Sequence, residues 1–249
     1  MPHDGVVRAV LLAMECPKDD LAGSLRRHLA EIAYAESVQA DLLVCPEFSL
    51  TGGVDPAAEP TRAITLEHEA VRTLVAATAS VAVVFGLAES GGPFIAQVVT
   101  TGLEVVAIPR KRYLGEGEEG YAIGTTTATV DVAGRRCGIV ICAEAGQPWT
   151  WDACAEAGAD VILCCSAPGL SGRRTDEAGW RAGLSWWESC GLADARHHAR
   201  GLGLPVLMST QAGSTADEDF PGLAAAIDAN GHVLDRTPDW RPGRLVVDL

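Results

Sequence analysis

Hydrophobic positions along this chain alternate between two rhythms. Short, dense apolar runs rich in β-branched residues read as strands: Val6 to Met14, then Asp41 to Cys45, then Val81–Leu87, Phe94–Thr100 and Glu104–Ile108, the last three joined by Gly-containing turns. Between them, Leu21 to Val38 carries leucines and alanines at helical spacing, with Asp19-Asp20 as cap and first-turn charge, and Glu67 to Ala79 predicts a second helix. After a glycine- and glutamate-rich loop from Gly115 to Gly124 the same alternation resumes. Strands are predicted at Ala128–Val132 and Cys137–Ile141, a helix at Trp149–Ala157, a strand at Val161–Cys164 and a long helix around Trp180–Arg200. The strands Val206–Ser209, Ala224–Asp228 and His232–Asp235 follow, with Gly231 turning between the last two and a short strand expected at Leu245–Leu249. The strands are continuous apolar runs rather than in/out alternations, which implies that both faces of the sheet are covered. No fixed-period repeat or linker interrupts the pattern, so one layered α/β domain over residues 1–249 is expected.

Composition narrows the function. With 249 residues, 48% of them hydrophobic, the chain can bury a large core. Its net charge of −14 and pI near 4.8 disfavour nucleic acid and anionic membrane surfaces, both of which need clustered Lys and Arg. Met1-Pro2-His3-Asp4-Gly5 lacks the basic and apolar regions of a secretory signal, and no apolar run is long enough to span a bilayer, so a cytoplasmic protein is expected. The eight cysteines are scattered, without any C-x-x-C pair, which argues against a disulfide framework and structural zinc; no metal and no cofactor are expected. Cys164-Cys165 reads as a packing pair rather than a redox pair, and His197-His198 as surface residues of a helix.

Three residues of complementary chemistry follow predicted strands, where loops present side chains to a cleft. Glu47 follows Leu-Leu-Val-Cys-Pro, Lys111 follows Val-Val-Ala-Ile-Pro-Arg, and Cys142 follows Cys-Gly-Ile-Val-Ile. A thiol is largely protonated at neutral pH and needs a neighbouring base or cation to act as a nucleophile. Glu47 can accept the thiol proton and return it to a departing amine. Lys111 can stabilise a thiolate and an oxyanion, with the backbone N–H of Ala143 as a second donor. Arg110 and Arg112 flank the lysine and could exchange roles with it.

Leu43-Val44-Cys45-Pro46-Glu47-Phe48-Ser49-Leu50-Thr51-Gly52, Arg110-Lys111-Arg112-Tyr113-Leu114 and Gly138-Ile139-Val140-Ile141-Cys142 together resemble the nitrilase (carbon–nitrogen hydrolase) superfamily. Weaker likenesses at Ala157–Leu163 and Ile227–Leu234 extend the resemblance over about residues 8 to 236. It implies an αββα four-layer sandwich and a Glu47–Lys111–Cys142 triad without metal or organic cofactor. It further implies a second glutamate about eight residues after the lysine, matched by Glu119 with Glu118 as the neighbouring alternative, and substrate contacts at Tyr113, Ala143 and Ala167. The reaction it implies is hydrolysis of a small linear amide through a cysteine thioester. N-carbamoyl (ureido) and nitrile hydrolysis are the alternatives within the class; a non-catalytic binding protein on the same scaffold, or a redox-sensing thiol protein, lie outside it. The helices bearing Trp149, Trp151, Trp180, Trp186 and Trp187 look like those through which relatives dimerise, so a homodimer or higher homo-oligomer is expected, the other reading being a buried stripe. The sequence departs from the family pattern at Ala143-Glu144 after the cysteine, at Tyr113, at Gln147-Pro148-Trp149 and at Gln97. These changes leave the triad intact but reshape the pocket wall.

Overall fold

The structure is a computed structural model that describes residues 6–126 and 129–249. Met1–Gly5, read for targeting, and Ala128, read as the first residue of a strand, lie outside the described residues. The first half comprises β1 (Arg8–Met14), α1 (Leu21–Ser37), β2 (Leu42–Val44), α2 (Glu69–Ala76), β3 (Ala82–Glu89), β4 (Phe94–Thr101) and β5 (Glu104–Ala107). The second comprises β6 (Thr129–Val132), β7 (Arg135–Ile141), α3 (Pro148–Glu156), β8 (Val161–Ser166), α4 (Glu177–Trp187), α5 (Ala193–Leu202), β9 (Val206–Ser214), β10 (Asp219–Pro221), β11 (Ala225–Ile227), β12 (Val233–Arg236) and β13 (Gly243–Asp248). Asp20 caps α1 by accepting the Gly23 N–H at 2.8 Å, and the first turn holds no acidic residue, so the expected pair supplies the cap but not a first-turn charge.

Strand pairing runs β5-β4-β3-β2-β1-β9-β8-β7-β6. The path folds where β1 meets β9, because β1 pairs with β13 from Arg8 to Ala13 and is in register with β9 only at Ala13–Thr210 and Met14–Gln211. Two sheets result, and three apolar clusters divide their four faces. Ala9, Leu11, Val44 and Val84 of one sheet meet Ile139, Ile141, Leu163 and Leu207 of the other. On the outer face of the first sheet Val10, Leu12, Leu43 and Val83 pack against Ile32, Ala35 and Leu74 of α1 and α2. On the outer face of the second, Val140, Ile162, Val206 and Met208 pack against Trp151, Ala195 and Ala199 of α3 and α5. Neighbouring strand residues thus face different cores, both apolar, which explains the unbroken hydrophobic runs. The layers are α, β, β and α. Among the described residues no helix is long and apolar enough to cross a membrane.

The long helix expected around Trp180–Arg200 is instead divided. A π-helical turn, Glu188–Leu192, separates α4 from α5. Gly191 lies in that turn against the Trp187 ring, where a Cβ would collide with the indole, so the widened turn lets the ring lie across the backbone. The sequence reading also missed β10, whose three residues are too few to show a period.

Candidate active site

Strands β2 and β3 run parallel to β1, β5 runs parallel to β3 through the intervening antiparallel β4, and β7, β8 and β9 run parallel to each other and to β1. Their C-terminal ends therefore lie at one end of the sandwich. Glu47 leaves β2, the chain carrying Lys111 continues from β5, Cys142 leaves β7 and Ala167 leaves β8.

Each position is fixed by backbone bonds. The Glu47 loop lies directly on β3: Leu50 N–H donates to the Gly86 carbonyl at 2.8 Å, and the Gly86 N–H donates to Ser49 Oγ at 2.9 Å. Only glycine permits this approach, since a Cβ at position 86 would collide with Phe48 N and the Pro46 carbonyl oxygen. Lys111 remains in register with β4, its N–H donating to Ile95 O at 2.8 Å, while Gly124 N–H donates to Lys111 O at 2.7 Å. Cys142 opens a 3-10 turn, Cys142–Gly146, with φ of 45°, an uncommon left-handed conformation for a residue with a Cβ.

The side chains meet. Lys111 Nζ lies 2.8 Å from Glu47 Oε1 and 2.6 Å from Glu118 Oε1, with Lys111 fully buried and Glu47 1% exposed. The Cys142 thiol stands beside the Glu47 carboxylate and the backbone of Ala167. Burial drives Glu47 up to about 7, against the opposing pull of the Lys111 ammonium. Burial, reinforced by the Glu47 carboxylate, pushes the Cys142 thiol well above its ordinary value even with Lys111 beside it. Burial would lower Lys111, but the Glu47 carboxylate, joined by that of Glu118, outweighs it, and the ammonium is held charged. The resting arrangement is a neutral thiol beside a base whose proton affinity lies close to neutral pH.

The match to the family described as Carbon-nitrogen hydrolase extends over residues 7–249. The chain belongs to the carbon–nitrogen hydrolase family. A curated relative, the (R)-stereoselective amidase of a Pseudomonas species, is 34% identical over 149 residues; the match takes in 58% of this chain and only 54% of that relative. Among solved structures, a cysteine-to-alanine mutant of the Nesterenkonia AN1 amidase of the nitrilase superfamily superposes with a TM-score of 0.79 at 22% identity, over 98% of this chain and 90% of that one. Another mutant of the Nesterenkonia amidase, carrying the acetamide moiety of fluoroacetamide covalently on its active-site cysteine, gives 0.81 at 22% identity over 100% and 92%. The glutamine-dependent NAD+ synthetase of Acinetobacter baumannii gives 0.78 at 16% identity over 98% of this chain and 45% of that one. These likenesses to solved structures carry the fold: the αββα sandwich is that of the nitrilase superfamily.

In this member of the carbon–nitrogen hydrolase family the second glutamate beside the lysine is Glu118, not Glu119. Glu118 reaches Lys111 with one oxygen and accepts the Gly115 N–H with the other at 2.6 Å, whereas Glu119 is exposed and accepts the Gly117 N–H at 3.1 Å. The turn from Gly115 directs adjacent side chains to opposite sides, and spacing alone did not separate the two. Neither flanking arginine takes the lysine's place: Arg110 makes a two-pronged pair with Glu89, and Arg112 turns toward Glu144. Ala143 and Ala167 line the cavity over Cys142, but Tyr113 is 39% exposed and outside that lining. The cavity, about 540 Å³, is walled by Phe48, Tyr121, Ser166, Trp186 and Trp187, with Cys142 in its floor. Cys164 and Cys165 are fully buried, as a packing pair would be. His198 is not a plain surface residue, since its ring stacks on Trp151 at 4.8 Å.

Proposed function

We propose that this protein hydrolyses a small amide through a thioester on Cys142. The observation that carries the reading is the buried cluster itself: one ammonium held between Glu47 and Glu118, with the Cys142 thiol beside Glu47 at the floor of a substrate-sized cavity. Ionised Glu47 accepts the Sγ proton as sulfur attacks the carbonyl carbon. The oxyanion that forms is stabilised by the Lys111 ammonium and the Ala143 backbone N–H. The tetrahedral adduct collapses when Glu47 gives its proton to the nitrogen, which leaves as ammonia or amine. A water molecule, deprotonated by Glu47, then attacks the thioester, and the proton returns to sulfur as the acid departs. Glu118 keeps Lys111 charged and oriented throughout. The curated relative's name, an amidase, agrees with this reading.

The cavity wall bears on the substrate's charge. Asp55, Glu116, Asp194 and Glu218 line it, and Lys18, its basic residue among the described lining, is tied to Asp217 at 2.6 Å. Such a wall favours neutral and cationic amides over carboxylate-bearing ones, and so disfavours N-carbamoyl amino acids. No residue of the wall favours a nitrile. A panel of amides matched in length and bearing ammonium, no charge or carboxylate, assayed by ammonia release, tests both points. Turnover of the neutral or cationic members is expected. Release only from the anionic members, or from nitriles alone, would overturn the substrate assignment.

A further inference from the structure

Glu144 lies in the turn that carries Cys142, and its carboxylate is 1% exposed. One oxygen accepts the backbone N–H of Arg112 at 2.5 Å; the other accepts the backbone N–H of Ile141 at 2.9 Å. Arg112 is the residue after Lys111, and Ile141 is the residue before Cys142. The two segments belong to different sheets, one following β5 and the other ending β7.

We propose that Glu144 is the positioning residue that sets Lys111 against Cys142, a carboxylate staple between the strand end that supplies the ammonium and the strand end that supplies the thiol. It rests on reading Cys142 as the nucleophile. A charge pair with the Arg112 side chain does not account for the carboxylate. The guanidinium Nε stands 3.4 Å from Glu144 and its Nη2 donates to Thr150 O at 3.1 Å, while both short bonds of Glu144 go to backbone N–H groups. Thr150 Oγ1 in turn donates to the Glu144 carbonyl at 2.8 Å, anchoring the turn to α3.

The turn needs such a restraint. Cys142 holds φ of 45°, and a residue with a Cβ persists there only when its surroundings over-determine it. With Ile141 N–H and Arg112 N–H released, the turn is free to relax and the lysine segment to move independently of it. Glu144 does not touch the reacting atoms. Its contribution is the distance between them, and displacement of about 1 Å at a reacting centre costs ~10²-fold in rate.

The experiment compares Glu144→Gln, which keeps volume but turns an amide N–H toward one of the two backbone donors, with Glu144→Asp, which keeps charge but is one methylene too short to span both. For each folded variant kcat and KM are measured on an amide that the wild type hydrolyses. The rate of Cys142 alkylation by iodoacetamide is followed as a function of pH. Both variants are expected to unfold cooperatively, to lose about 10²-fold in kcat with KM changed less than about threefold, and to alkylate more slowly with an altered pH profile, Asp falling between Gln and the wild type. A merely structural residue would lower the melting temperature and leave kcat and the alkylation profile as in the wild type. That result, or failure of both variants to fold, would overturn the proposal. If the wild type hydrolyses no amide, the amidase reading fails separately, and alkylation of the thiol still decides the role of Glu144.

Discussion

At the residue scale the site turns on Glu47. A surface glutamate would be fully ionised at neutral pH and a poor acid; burial raises this one to about 7, where it can both accept the thiol proton and return it. Only the ionised form accepts a proton, so kcat/KM is expected to rise with pH through about 7 as Glu47 ionises. Glu47→Gln should remove that limb and lower kcat by ~10²–10⁴-fold, the usual contribution of general acid–base catalysis. Initial rates across pH for both proteins check this; an unchanged acid limb in the Gln variant would assign it to another group. A second glutamate beside the lysine was expected only from the family resemblance. Which of Glu118 and Glu119 supplied the second could not, because a one-residue difference within a glycine-rich loop decides side-chain direction and leaves no mark in composition or period.

Elements fix where these side chains stand. The loop after β2 is held by His28 and Ser49, both fully buried: His28 Nδ1 lies 2.7 Å from Ser24 O and Nε2 3.0 Å from Ser49 Oγ, while Ser49 accepts the Gly86 N–H. Burial lowers His28 to about 4, so the ring is neutral and carries its proton on Nδ1 toward the carbonyl, leaving Nε2 to accept the Ser49 hydroxyl. Ser49→Ala leaves both the Gly86 N–H and His28 without partners and should cost about 2 kcal/mol. Urea unfolding measures it, and a loss below about 0.5 kcal/mol would mean that the bonds are replaced. Most strands and helices were legible because both faces of each sheet are covered and the helices are amphipathic, two patterns that local sequence records directly. The pairing of β1 with β13 and β9, the π-helical turn at Gly191 and the reach of Glu144 across two sheets are long-range or single-residue facts, and periodicity does not encode them.

For the whole molecule, the fold gathers three strand ends at one pole and leaves two indoles at the surface. Trp149 on α3 and Trp186 on α4 are 45% and 46% exposed, while Trp151 and Trp187 are buried, so the tryptophan-rich segment is partly core and partly available for contact. The expected self-association through these helices predicts a mass in solution that is a multiple of 26.0 kDa, with Trp149→Glu shifting it toward the monomer. Light scattering coupled to size exclusion reads this directly, and a monomeric wild type would contradict it.

The central claim is that Cys142 is the atom that attacks and that Glu47 and Lys111 serve it. It is tested most directly by peptide-mapping mass spectrometry after brief exposure to a slowly hydrolysed acyl ester. An acyl group is expected on Cys142, on none of the other cysteines among the eight, and is expected to be absent in the Lys111→Met variant. Acylation of a different residue, or steady amide hydrolysis by a Cys142→Ala protein, would contradict it.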